Sequence, residues 1–134
     1  MKTLVEIPGV DLVCIEKLRD AGIPSIDAFL EVCVRAKGRY LLAERTGIPR
    51  MTILGLANHA DLLRVNGVGS EYANLLQAAG VETVPELSRR NAAKLRKKLV
   101  EVQGAQHEDC TVPSEAEIAD WIEQARELPR ILQY

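Results

Sequence analysis

This chain is short of aromatic residues, of cysteine, of net charge and of long apolar runs, and each shortage closes off a class of protein. One Phe, one Trp and three Tyr in 134 residues leave the interior to Leu, Ile, Val and Ala. Three cysteines, an odd number, cannot make a fully paired disulfide framework. Cys14 and Cys33 lie in apolar stretches and read as reduced core thiols, which suits a reducing compartment. No apolar run approaches the ~20 residues that cross a bilayer, and the opening Met1-Lys2-Thr3-Leu4 reaches Pro8-Gly9 too soon for a signal peptide. The expectation is a cytoplasmic protein with no membrane contact. A formal net charge of -2 gives no general attraction for phosphate, so any nucleic-acid contact needs a locally basic face. Signals for catalysis are missing too: there is no G-x-x-x-x-G-K-[ST], no G-x-G-x-x-G after a strand and no G-x-S-x-G. The reading is a non-enzymatic protein that requires no cofactor.

What the chain does have is an internal repeat. Residues 7–30 align without a gap onto residues 65–88. Gly9, Val10, Leu18, Ala21 and Gly22 recur as Gly67, Val68, Leu76, Ala79 and Gly80, and Ile7, Ile23, Ile26 and Phe29 meet Val65, Val81, Val84 and Leu87. In each copy a Gly-containing turn opens a helix of about ten residues, which Gly22 or Gly80 closes as a left-handed cap. Ser25 or Thr83 then starts the next helix, with Thr83 and Glu86 at capping-box spacing and Pro85 in the first turn. A partial third echo, Thr46-Gly47-Ile48-Pro49, separates two further apolar helices.

Asn91 reads as the N-cap of a helix from Ala92 to about Val102, with residues 104–113 polar and turn-rich. Ser114 and Glu117 form a second capping box before a stripe of Ile118, Trp121, Ile122, Ala125 and Leu128, which Pro129 stops. Trp121 is the expected anchor of that helix. No strand alternation is sustained anywhere that a helix does not explain better, so the fold class is all-α.

Val65-Asn66-Gly67-Val68-Gly69-Ser70, followed by Tyr72, Ala73, Leu75, Leu76, Ala79 and Gly80-Val81, closely resembles the helix-hairpin-helix motif; residues 7–30 resemble it less closely. The order of segments across nearly the whole chain is similar to a largely uncharacterised, mainly bacterial family carrying such hairpins and known chiefly as a domain of unknown function. AERTGI, NHADLLRVNGVGSEYANLLQAAGVETVPEL and PSEAEIADWIEQARELPR carry that likeness. The resemblance implies a compact helical domain with two helix-hairpin-helix repeats of the SAM-like kind. Residues 1–134 then form a single compact unit: a degenerate first repeat over 1–60, a second over 61–104, and a loop with a C-terminal capping helix over 105–134.

In DNA-binding members of the wider superfamily, paired hairpins grip backbone phosphates without reading sequence. The resemblance therefore implies Gly67, Val68, Gly69 and Ser70 as contacts. The physical warrant is that two glycines permit close backbone approach and positive φ, while the next helix offers unpaired N–H groups and its positive dipole end. Arg64, Arg89, Arg90 and Lys94 are the basic residues that could add charge, with Arg96, Lys97 and Lys98 extending the run. In the first copy Asp11 stands in the place of Gly69 and Leu12 in that of Ser70, so that hairpin reads as structural, with Asp11 a cap. Two readings stay open for the second: a phosphate site, or a turn that only lets two helices pack closely. The corresponding functions are weak, sequence-independent nucleic-acid binding and a protein-interaction or self-association scaffold. His107, Glu108, Asp109 and Cys110 lack the paired spacing of a metal site, so none is expected, and His59 beside Asp61 reads as a helix-junction hydrogen bond.

Overall fold

The apolar stripes fold as eight α-helices, with no strand among the described residues, which are 4–7, 10–106 and 112–133 of the computed structural model. The backbone divides into two compact units, Met1–Asp61 with Arg130–Tyr134, and Leu62–Pro129.

The first unit holds a 3₁₀ turn, Leu4–Glu6, and helices α1 (Leu12–Asp20), α2 (Ile26–Cys33), α3 (Ala36–Thr46) and α4 (Arg50–Leu62), whose last residue begins the second unit. Ile15, Leu18, Ile26, Phe29, Leu42 and Ile53 are among its buried side chains. Helices α2 and α3 pack closely because Gly38 has no side chain: a Cβ there would collide with the Val32 carbonyl oxygen. The carbonyl groups at the end of α2 would otherwise lack partners. Buried Arg39 donates to the Cys33 carbonyl at 2.8 Å, and the Gln133 N–H donates to the Val34 carbonyl at 2.7 Å.

The second unit comprises α5 (Ser70–Ala78), α6 (Val84–Ser88), α7 (Ala92–Gln106) and α8 (Glu115–Glu127). Helix α8 lies on α6 and α7, and α5 on α7. Trp121 is buried with Ile118, Ile122 and Ala125, as its helical stripe requires.

The sequence repeat is also a repeat of hydrogen bonds. Helix α5 starts and ends 58 residues after α1. At the end of α1, Ala21, Gly22 and Ile23 donate to the Leu18, Arg19 and Leu18 carbonyls; Ala79, Gly80 and Val81 donate to those of Leu76, Gln77 and Leu76. Gly22 and Gly80 take left-handed φ of 86° and 92°, the conformation in which a Cβ is costly. Gly47, at 76°, ends α3 in the same region.

Several local expectations need correction. Helix α7 runs through Gly104 to Gln106, four residues past Val102, since a glycine lowers helix propensity without forbidding a right-handed helix. Thr83 is the N-cap of α6 but its side chain makes no capping hydrogen bond, and Glu86 instead accepts from the N–H of Glu82 at 3.2 Å. Cys33 is buried, whereas Cys14 is only partly so. Burial pushes the Cys33 thiol up to about 12. Burial raises Cys14 too, and the neighbouring Asp11 adds to the effect.

Candidate functional site

The turn between α4 and α5 is built by short-range bonds and then held from α8. The Val65 N–H donates to the Leu62 carbonyl at 3.2 Å, and the Val68 N–H donates to the Val65 carbonyl at 3.1 Å. Both valines are buried, which turns the backbone between them outward. The Gln124 side chain grips Asn66 at two points: its Oε1 accepts from the Asn66 N–H at 2.8 Å and its Nε2 donates to the Asn66 carbonyl at 3.1 Å. Nε2 also donates to Asp120 at 2.9 Å, so the orientation of the amide is fixed. Arg64 donates to the Pro129 carbonyl at 2.6 Å.

Of the two glycines, only Gly67 uses positive φ, at 96°; a Cβ there would lie 3.0 Å from Trp121 Nε1. Trp121 is in turn packed on Tyr72, with ring centroids 5.2 Å apart. Gly69 is extended, with φ −92° and ψ −171°, and has open space where a side chain would stand. It is the N-cap of α5 and supplies no side-chain acceptor.

Its counterpart is Asp11, whose backbone, at φ −108° and ψ 170°, is nearly the same. There the carboxylate accepts the Cys14 N–H at 2.7 Å, and that hydrogen bond holds its pKa below the usual value. The expected capping role of Asp11 is thus present: the first copy carries its own anion at the helix start. The second leaves that place open, beside exposed Gly67 and Gly69 and half-buried Ser70. Val68 is buried, with its N–H committed to Val65, so its side chain is removed from any ligand.

The basic residues do not converge on this turn through the bonds they make. Arg90 donates to the Gly80 carbonyl at 3.2 Å, at the far end of α5, about 13 Å along a helix of this length. Lys94 is exposed in the first turn of α7, where its N–H donates to the expected cap, Asn91, at 3.1 Å. Arg89 is exposed after α6. The start of α5 and Arg64, half-buried on the Pro129 carbonyl, are the positive groups of the turn itself, with Glu71 opposing them in the first helical turn.

Sequence reasoning missed Gln124 and the hold of α8 on the turn. Its one available signal was a polar residue three positions from Trp121, on the flank of the apolar stripe. No group of three or more His, Cys, Asp and Glu side chains among the described residues could hold a metal. His107, Glu108, Asp109 and Cys110 lie outside those residues, as does Gly9. His59 and Asp61 sit in the last turn of α4, with Asp61 buried. No helix among the described residues is long and apolar enough to cross a membrane.

An all-helical chain, with one helix start capped by the Asp11 side chain and its equivalent begun by a glycine that has none, is the class these observations define. Residues 8–128 match the family described as a domain of unknown function, DUF4332, and the chain belongs to that family. No curated protein and no solved structure matches it.

Proposed function

We propose that this chain is a non-enzymatic module of tandem helix-hairpin-helix type whose second hairpin takes a backbone phosphate of nucleic acid, weakly and without reading sequence. The observation that carries this reading is the contrast between Asp11 and Gly69. Two nearly identical backbones start two equivalent helices; one is filled by a carboxylate, and the other is open above a glycine. An anion is the chemistry that such a helix start attracts, and phosphate offers several acceptor oxygens to the N–H groups there. The Gln124 grip and the packing of Trp121 on the turn support it, because they fix the turn before a ligand arrives.

A contact of this kind positions a protein without specifying sequence. One or two phosphates per hairpin give a salt slope of about −0.9 to −1.8, so affinity falls roughly 3.5- to 12-fold between about 50 and 200 mM salt. Fluorescence anisotropy with a labelled duplex of mixed sequence tests this. Salt-sensitive binding, equal for an unrelated duplex, is expected; no binding at tens of micromolar protein, or binding indifferent to salt, refutes it.

A second reading has one observation of its own. Leu12 and Val13, 74% and 58% exposed, stand where the second copy has Ser70 and Glu71. An apolar tip there suits a protein surface better than a phosphate. Anisotropy that stays flat with every nucleic acid would favour that scaffold reading.

A further inference from the structure

We propose that α3 is a self-association face, on which two copies of this chain pair antiparallel about a twofold axis passing between Tyr40 and Leu41. The inference stands apart from the phosphate reading and concerns the first unit only.

Tyr40 and Leu41 are 45% and 50% exposed, and Val32 beside them is 39% exposed. Val32, Gly38 and Leu41 line one shallow groove, which exists because α3 crosses α2 too closely for any side chain at residue 38. Arg50 stacks on the Tyr40 ring, 5.3 Å from its centroid, and holds that ring in place. The unpartnered face is therefore apolar at its centre, notched on one side and fixed in shape.

Its charges decide what fits it. Two of the four charged side chains of α3 are already engaged: Arg39 is buried on the end of α2, and Arg45 donates to the Ala21 carbonyl at 3.2 Å. Lys37 and Glu44 are exposed and make no ion pair among the described residues. Neither has an opposite charge three or four residues away within α3, where an intrahelical partner would stand. They lie two turns apart on the stripe that carries Leu41.

Reversing the helix about the midpoint of residues 40 and 41 exchanges Lys37 with Glu44 and Tyr40 with Leu41. Each unpaired charge meets its opposite across the axis, while Gly38 stays committed to the crossing with α2. A twofold interface must be complementary to itself, and this arrangement is. An unrelated partner would need an acidic and a basic group in the reverse order at the same spacing; a second copy supplies both without further assumption.

One 11-residue helix against another makes a small interface, so the dimer is weak, with a dissociation constant on the order of 100 μM. Sedimentation of the full chain under reductant, from about 10 to 500 μM in low salt, should show a reversible monomer–dimer equilibrium. Leu41→Asp should weaken it by about tenfold or more while circular dichroism and Tm stay near wild type, because the side chain is half exposed in the monomer. Lys37→Glu should weaken it about 3- to 10-fold through like charges at two symmetric contacts. The double variant Lys37→Glu/Glu44→Lys should restore it. A monomer at every concentration overturns the proposal, as does a dimer insensitive to Leu41→Asp or a double variant no tighter than Lys37→Glu.

Discussion

Replacing Gly67 with alanine should destabilise the second unit by about 2 to 5 kcal/mol, from two separable causes. The first is the backbone: φ is 96° at this residue, and an L side chain held there costs roughly 1–2 kcal/mol. The second is contact. The added Cβ would stand 3.0 Å from Trp121 Nε1. Trp121 is 3% exposed and lies against Tyr72, so the ring has little room to withdraw. Overpacking of this kind costs about 1–3 kcal/mol. For a unit of this size each kcal/mol moves the midpoint by roughly 4–8 °C, so a fall of about 10 °C or more is expected. Trp121 is the only tryptophan in the chain, and its fluorescence during thermal unfolding reads the affected contact directly. Gly69→Ala is the control: with negative φ and open space around it, it should cost less than about 1 kcal/mol, chiefly as a poorer N-cap. Equal midpoints for Gly67→Ala and wild type would show that neither the positive φ nor the Trp121 contact constrains the turn.

Three further outcomes follow from the same geometry. Gln124→Ala removes both contacts to the Asn66 backbone and should destabilise the second unit by about 1–2 kcal/mol in chemical denaturation, and Gln124→Glu, which sets a carboxylate oxygen against the Asn66 carbonyl and Asp120, should cost at least as much. Arg39→Leu leaves the buried Cys33 carbonyl without its guanidinium and should cost about 2 kcal/mol; an unchanged denaturation midpoint would show that the end of α2 does not depend on it. The Asp11 carboxyl is held below its usual pKa by its folded partner, so its capping contribution is present above about pH 4 and fades as pH falls through the lowered value. Asp11→Asn should flatten that part of the stability profile in acid titrations followed by circular dichroism, and a profile unchanged by the variant would remove the cap from the account.

The helices and most of their ends were legible in the sequence because they depend on local chemistry. Ser25, Asn91 and Ser114 accept the backbone N–H groups that their positions imply, and Gly22, Gly47 and Gly80 take the left-handed conformation that ends their segments. Where local signals compete, the sequence was less decisive. Gly104 does not stop α7, and Glu86 reaches the N–H of Glu82 although its spacing from Thr83 is that of a box. The candidate site was legible as a turn but not as an environment. That Gly67 answers to Trp121 and Asn66 to Gln124 depends on contacts between residues more than fifty positions apart, which no spacing rule encodes. The fate of the basic residues was hidden for the same reason: Arg64 and Arg90 spend hydrogen bonds on the Pro129 and Gly80 carbonyls, which a charge count cannot show.

In the proposed function, the start of α5 takes a phosphate because position 69 lacks the carboxylate that position 11 has. Gly69→Asp copies the first repeat onto a backbone that already matches it. The most direct measurement is low-salt anisotropy with a labelled duplex on wild type and Gly69→Asp, beside their thermal midpoints. The variant should bind at least about tenfold more weakly, with a midpoint equal to or slightly above wild type, since the new side chain caps the helix. Binding of the folded variant at wild-type strength would contradict the proposed function.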